Sequence, residues 1–589
     1  MARSLESGSE NVARRFGLST VPSETDCEKR TMTTESPTGV DRVDPPPTTG
    51  SGAAPGPVDR RPVRPDRPDR PERPDGSAAS TGRAWVRRLG VGSLFAAILI
   101  VLSVMTIFRY TATFLQADGI QQSNMSVQDV DLFFWGQNRF ASVVPLLASP
   151  FADPTVNLFV CLLINALCFH GLLLIISWMG VRLLGGERRW PAVLITFLIL
   201  VATAHAVLGP WDIHIMALET QPYSMSWLLT LGSFLLWKRR EWWAYALATA
   251  MVGVAMGLNP SVVLGAAFLS VLEMLRRRQW VRWPAFGVVW VAWLGVWLVL
   301  AARLGGTGPI PEPAQPYFVF DRAQFIADIS KSAGSIVGVF SPTRFVVLVM
   351  ISCLCVLVLP RHIRADLLPR FALIMFFSFG YFTLFAGNPW VAGNAYWFRY
   401  FFPVVLAIVV CVAAPIAGAA LAIRWPAGRW TRPAVAVGAA LACVAALAGP
   451  LVPPSQAYVL QQVRATADFA RANDINFISG NYWAIWPILH LNLVDGRDSA
   501  FGVGLKSGGD RDAYLARFEQ DLAGGRARAL CVEDSVDNCR IYLDYWTMPG
   551  WVEVPGLSCP GPSPSMGGQP EDQCRVLENT GETAQPVGG

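Results

Sequence analysis

Charge is scarce in this chain and lysine is nearly absent. Only 15% of its 589 residues are Asp, Glu, Lys or Arg, and Lys29, Lys238, Lys331 and Lys506 make up the whole lysine complement. An ordinary soluble domain carries about a quarter of its residues as charges, so this composition argues against a soluble globular protein. The small excess of 48 basic over 43 acidic residues gathers in short connections and in the first hundred residues. That is the pattern of a topology signal, not of a nucleic-acid-binding surface. Charge is rarest inside the long apolar runs, where His170 and His205 stand almost alone and Glu273 lies near one end. An ion-coupled carrier needs ionisable groups near mid-membrane, which makes that class the weaker reading.

What the chain does have is hydrophobic residues, 52% of the total, in runs near the length of a membrane span. Runs near 89–108, 156–180, 191–208, 222–237, 242–258, 261–275, 283–302, 343–359, 371–387, 399–423 and 433–452 predict about eleven spans in a mainly α, polytopic transmembrane bundle covering 86–452. The clusters Arg87-Arg88, Arg182/Arg188/Arg189, Lys238-Arg239-Arg240, Arg276-Arg277-Arg278, Arg361/Arg364/Arg370 and Arg424/Arg429/Arg432 fall on alternate connections. By the positive-inside rule the N-terminus is expected in the cytoplasm and the segment after Pro450 outside it, with the plasma membrane as the location. Residues 1–85 hold a Pro/Arg-rich repeat and no apolar periodicity, and read as a disordered cytoplasmic tail.

Residues 453–589 read as a small extracytoplasmic α/β domain, with a helix near 455–472 and strands near 476–479, 527–532 and 540–545. Its four cysteines, Cys531, Cys539, Cys559 and Cys574, are even in number and lack metal-site CxxC spacing. Two disulfides are expected, 531–539 with 559–574 being the local choice among three connectivities. Tyr482, Trp483 and Trp486 are either sugar-stacking residues or core and interface contacts.

Polar and aromatic residues collect in the outer connections 109–155, 209–221, 303–342 and 388–399. In the first, Ser126-Val-Gln-Asp129 fits the start of a capped helix. Asp129 and Asp131 then point about 200° apart; if Asp129 caps the helix, Asp131 is free to act as a base, and if the helix starts later the roles exchange. The second connection supplies Asp212, His214, Glu219 and Gln221 just before Pro222, with Glu219 the second candidate acid. In the last, Arg399 stands among Tyr396, Trp397 and Tyr400 at the outer end of a run, where a guanidinium either grips phosphate oxygens or snorkels to headgroups. The connection 303–342 is long enough for a lid.

Many spans, an acidic first outer loop, an acid in the next, the Arg399-Tyr400-x-x-Pro403 segment and an outer C-terminal domain together resemble a GT-C-type membrane glycosyltransferase, with an actinobacterial cast. Asp-Val-Asp stands where several relatives have adjacent Asp-Glu, and no WWDYG-type segment is present. The resemblance implies transfer of a sugar from a polyprenyl-phosphate donor to an envelope glycan, lipid or protein. It assigns Asp129 and Asp131 to acceptor activation and Arg399 with Tyr400 to the donor phosphate; the loop residues themselves add Glu219 as a further catalytic candidate and Trp397, Gln221 and His214 as further candidates for the donor side. Membrane lipid is a partner and nucleic acid is not. No metal ligand set is named, although two acids beside a phosphate leave room for a divalent cation. The alternatives are a flippase for a lipid-linked precursor and a non-catalytic envelope assembly protein.

Overall fold

In lipid, a spanning segment must satisfy every peptide group internally, so apolar runs of this length fold as helices. The structure, a computed structural model, describes residues 77–133, 135, 141–181, 190–219, 223–304, 321–422, 431–497, 500–504, 511–525, 527–533, 535–560 and 573–581. The tail up to residue 76, Gln221 and part of the 303–342 connection lie outside them.

In chain order the first helices are α1 (Ser77–Phe114), α2 (Ala117–Gln128), α3 (Val143–Ala148), α4 (Pro154–Gly180), α5 (Trp190–Val207), α6 (Pro210–Leu218), α7 (Tyr223–Trp237) and α8 (Trp242–Leu258). There follow α9 (Val262–Arg277), α10 (Arg282–Leu304), α11 (Arg322–Gly338), α12 (Pro342–Val358), α13 (Arg361–Ala386), α14 (Pro389–Gly393), a 3-10 turn at Phe398–Phe401, α15 (Phe402–Ala422) and α16 (Thr431–Leu447). Each expected apolar run coincides with a helix over its described residues, the last as far as Leu447. Among the described residues, six stretches are long and apolar enough to cross a membrane: Gly90–Phe114, Pro154–Gly180, Trp190–Val207, Arg282–Leu304, Arg361–Ala386 and Phe398–Ala422. The chain is thus a multi-pass membrane protein. Helix starts follow local chemistry: Asp153, Asp321 and Asn388 accept from the amides of Val156, Gln324 and Trp390 at 2.7–2.8 Å, and proline follows the cap in α4 and α14.

The C-terminal part contains α17 (Tyr458–Gln462), α18 (Arg464–Ala472), β1 (Phe477–Gly480), α19 (Tyr482–Val494), β2 (Phe501–Val503), α20 (Arg511–Ala523), β3 (Ala527–Glu533), α21 (Val536–Trp546), β4 (Val552–Ser558) and β5 (Gln573–Asn579). The sheet order is β2-β1-β3-β5-β4, with β1 parallel to β2 and β3, and β5 antiparallel to β3 and β4. Period-2 alternation divides β3 between two cores. Leu530 and Val532 join the core shared with the helical bundle, while Ala527, Ala529 and Cys531 face α20 and α21. The bundle and the sheet therefore form one compact unit from residue 76 onward. Cys531–Cys539 and Cys559–Cys574 are the disulfides, as the local pairing required.

Two local expectations are corrected. The Ser126–Asp129 segment ends a helix instead of starting one: Asp129 is the extended C-cap of α2, and Ser126 Oγ donates to the Pro145 carbonyl at 2.8 Å. The cause is that α2 is polar yet buried, packed between α4 and α19, with Asp118, Gln121, Gln122, Ser123 and Asn124 all inside. Residues 540–545 are helical, not a strand, because Val536, Cys539, Leu543 and Trp546 recur at helical spacing and bury one stripe of α21.

Candidate active site: a buried guanidinium between two acids

Three chain reversals meet at the ends of the apolar helices. Two residues after α1 the chain turns into α2, placing Asp118 in that helix's first turn, where the positive helix end favours a carboxylate. Glu219 is the C-cap of α6, at the negative end, the less favourable place for an anion. After α14 the chain passes through Ala395 and Tyr396, both left-handed with φ 53° and 57°. Such a conformation costs roughly 1–2 kcal/mol per non-glycine residue, and the Tyr396 hydroxyl helps to hold it by donating to Asp328 Oδ1 at 2.5 Å. The 3-10 turn that follows delivers Arg399.

Arg399 Nη1 donates to Glu219 Oε1 at 2.9 Å and to Asp118 Oδ2 at 3.4 Å, while Nη2 reaches the Tyr400 hydroxyl at 3.4 Å. Its Cζ lies 4.1 Å from the Trp397 ring centroid, within cation–π range. Behind Trp397 an aromatic wall continues through Trp211 and His214, at centroid separations of 6.5 and 6.2 Å. From the other side α19 contributes Tyr482, whose hydroxyl lies 2.5 Å from Asp118 Oδ1 and 2.6 Å from Gln121 Oε1. One hydroxyl proton cannot serve two acceptors. Gln121 Nε2 is buried without a partner, so rotating that amide lets Nε2 donate to Tyr482 while Tyr482 donates to Asp118.

The side chains of Arg399, Glu219 and Asp118 are 8%, 1% and 10% exposed. Two carboxyls facing one guanidinium would leave net negative charge in a dry site, which burial opposes. Burial accordingly pushes Glu219 up to about 8 against the pull of Arg399, and the neighbouring Asp118 adds to the rise. Burial, with Asp118 next, also holds the Tyr482 hydroxyl well above its ordinary range, so it remains a donor. Among the described residues, Arg399 Nε and Glu219 Oε2 are buried with no hydrogen-bond partner. An orphaned donor and an orphaned acceptor on two members of one ionic cluster mark the place where a polar ligand would bond.

No family model matches the chain, and no curated protein does. A similar solved structure is the crystal structure of ArnT from Cupriavidus metallidurans bound to undecaprenyl phosphate, with 14% identity, a TM-score of 0.45, and coverage of 84% of this chain and 99% of that one.

Of the residues singled out in the sequence, the fold brings Arg399, Tyr400, Trp397 and Glu219 together. His214 stands in the aromatic wall and is 2% exposed; burial pushes it down to about 3, so it is a neutral ring and not a cation for phosphate. Asp129 and Asp131 are placed elsewhere. Asp129 is exposed at the far end of α2, about 16 Å along the axis from Asp118 at 1.5 Å per residue. Both acids act on Tyr514 of α20, whose hydroxyl is raised by burial and then by their charges. Gln128 alongside donates to the Ala500 carbonyl at 2.7 Å, so this end of α2 docks the C-terminal part. Asp118, Gln121 and the hydrogen-bonding role of Tyr482 are what the sequence reading missed. The available signal was the run Asp118-Gly-Ile-Gln-Gln-Ser-Asn124, too polar for a loop that must pack against spans. No group of three or more His, Cys, Asp or Glu side chains poised for a metal occurs among the described residues.

Proposed function

We propose that this chain is a GT-C-type glycosyltransferase that moves a sugar from a polyprenyl-phosphate donor to an extracytoplasmic envelope acceptor by single displacement. The observation that carries the reading is the buried Arg399–Glu219–Asp118 cluster, with Arg399 Nε and Glu219 Oε2 unsatisfied, at the ends of membrane helices. A guanidinium held in place by two acids and an aromatic face is a preorganised site for charge that grows on a departing phosphate. Neutral Glu219 fits beside it, since a protonated carboxyl can donate to a phosphate oxygen while a carboxylate would repel one.

In this mechanism the acceptor oxygen attacks the anomeric carbon and its proton passes to the Asp118 carboxylate, which Tyr482 orients. The bond from the anomeric carbon to the phosphate oxygen breaks, its electron pair leaves on the polyprenyl phosphate, and Arg399 takes up that charge. One displacement inverts the anomeric centre. A divalent cation, if used, would add to Arg399 in neutralising the phosphate.

The test is transfer from a synthetic polyprenyl-phosphate sugar in nanodiscs containing the full chain, comparing wild type with Asp118→Asn and Asp129→Ala/Asp131→Ala. Loss of roughly 10²–10⁴-fold in Asp118→Asn, the usual worth of a positioned base, is expected. Full transfer by Asp118→Asn would reject the assignment. The flippase reading has one feature in its favour, a polar cluster inside the bundle where His170 meets Ser103 at 3.2 Å and His205 meets Tyr110 at 3.0 Å. Movement of donor lipid between leaflets without sugar transfer would select it.

A further inference from the structure

At the opposite end of α7 from Glu219 the molecule has a second built site. The 15 residues of α7 separate the two by about 22 Å. Here the turn between α7 and α8 meets the turn between α9 and α10. Arg240 from the first and Arg278, Gln279, Trp280 and Arg282 from the second surround a hollow of about 580 Å³, with Tyr245 of α8 in its wall. The hollow is wide open to its surroundings, as a headgroup site would be and a buried ligand pocket would not. Among the described residues no carboxylate lines it: the nearby Glu273 is engaged by Lys238 Nζ at 2.7 Å.

The two turns are fastened to each other. Arg282 Nη2 donates to the carbonyls of Trp237 and Arg239, and Trp237 Nε1 donates back to the Arg282 carbonyl at 3.1 Å. Arg282 is also within cation–π range of Tyr245, with Cζ 5.7 Å from the ring centroid. Its guanidinium is thus fixed, yet its Nε is buried without a partner. Arg278 takes the left-handed conformation, φ 52°, that ends α9 beside the hollow. Three guanidiniums around one cavity, one of them anchored with a donor to spare, make an anion site. The lining decides which anion: Trp280 and Val281 are 59% and 84% exposed and Trp242, at the start of α8, is 81% exposed, all at the ends of apolar helices, where indole rings seat at the lipid headgroup level.

We infer that this hollow binds the phosphate of an anionic phospholipid headgroup, in the leaflet opposite the Arg399 cluster. The inference is independent of the transferase reading. The competing account is that these arginines only orient the chain, in which case no one lipid is held.

The experiment is native mass spectrometry of the full chain in detergent, with phosphatidylglycerol or phosphatidylcholine of equal acyl length added. The wild type is expected to retain one phosphatidylglycerol at energies that strip phosphatidylcholine. Arg240→Gln/Arg278→Gln should weaken retention roughly thirty-fold, about five-fold per arginine near a membrane phosphate. Both side chains are exposed, so this variant keeps the fold, whereas Arg282→Gln also removes the tie to α7. Equal retention of the two lipids, or retention unchanged in Arg240→Gln/Arg278→Gln, overturns the proposal. Displacement of the lipid by millimolar inorganic phosphate would reassign the hollow to a soluble anion and overturn the lipid reading.

Discussion

Replacing Arg399 with methionine removes the cation bonded to Glu219 and leaves two buried carboxyls facing each other across an apolar side chain. Breaking a buried ion pair from one side costs about 3–5 kcal/mol, because the remaining charge has lost its partner while staying dry. For a chain of this size, with the usual unfolding entropy per residue, that is a fall of roughly 2–4 °C in melting temperature. Measured above about pH 8, where Glu219 is ionised, Glu219→Gln relieves most of it, since a neutral amide needs no counter-charge. A double-mutant cycle read by thermal unfolding in detergent should give an Arg399–Glu219 coupling of about 2–3 kcal/mol, the upper range for contacting groups. In transfer assays Arg399→Met should lose about 10²–10³-fold in turnover, as when one preorganised donor to a developing anion is removed. Arg399→Lys should recover only part of this, having the charge without the fork. If Arg399→Met destabilises equally in the wild-type and Glu219→Gln backgrounds, the pair is not energetically coupled and the cluster cannot be the preorganised device described above.

Tyr482→Phe deletes a hydrogen bond to a charged group, worth about 1.5–3 kcal/mol, and should lower turnover at least ten-fold while leaving the KM for donor unchanged; a raised KM with normal turnover would move Tyr482 to the donor side. Glu219 gives a pH dependence. Its folded value of about 8 lies above the ordinary 4.5, so the stability it contributes is fully present below about 4.5 and is lost as pH rises through about 8. The melting-temperature advantage of wild type over Glu219→Gln should shrink across that window and the KM for donor should rise above about pH 8; a flat difference would place the proton elsewhere. The Cys559–Cys574 disulfide closes a sequence separation of 15 residues, so its double serine variant should lose about 3 kcal/mol, measured by denaturant unfolding followed through the C-terminal tryptophans; an unchanged midpoint would refute that value. Asp129→Ala/Asp131→Ala should change turnover less than three-fold, since Asp129 caps the end of α2 about 16 Å from Asp118 and Asp131 lies beyond that end, and a loss matching that of Asp118→Asn would restore them as catalytic candidates.

Which parts of this arrangement were legible in the sequence follows from how each residue is buried. Arg399 and Glu219 stand out because a charge next to a long apolar run is costly unless it has a partner, and each lies at such a boundary. The disulfides were legible because short separations and an even count constrain four cysteines. Asp118 escaped for the opposite reason. Periodicity finds a helix by its apolar stripe, but α2 has none, since its polar groups are buried against other polar groups: Asn124 Nδ2 donates to the Trp486 carbonyl at 3.1 Å, His490 meets Asn124 Oδ1 at 3.0 Å, and Asn165 donates to Gln122 Oε1 at 3.4 Å. Those partners lie 43 to 366 residues away, a separation that no local pattern encodes. The same holds for Tyr482, whose aromatic ring reads as a stacking platform until the fold brings its hydroxyl to Asp118. A helix this polar, folded into the interior between membrane helices and the C-terminal sheet, is stable only with all those distant partners in place. The C-terminal part is therefore a structural half of the site, and a chain cut after α16 should leave Asp118 and Gln121 without the Tyr482 hydroxyl and α2 without one of its two walls.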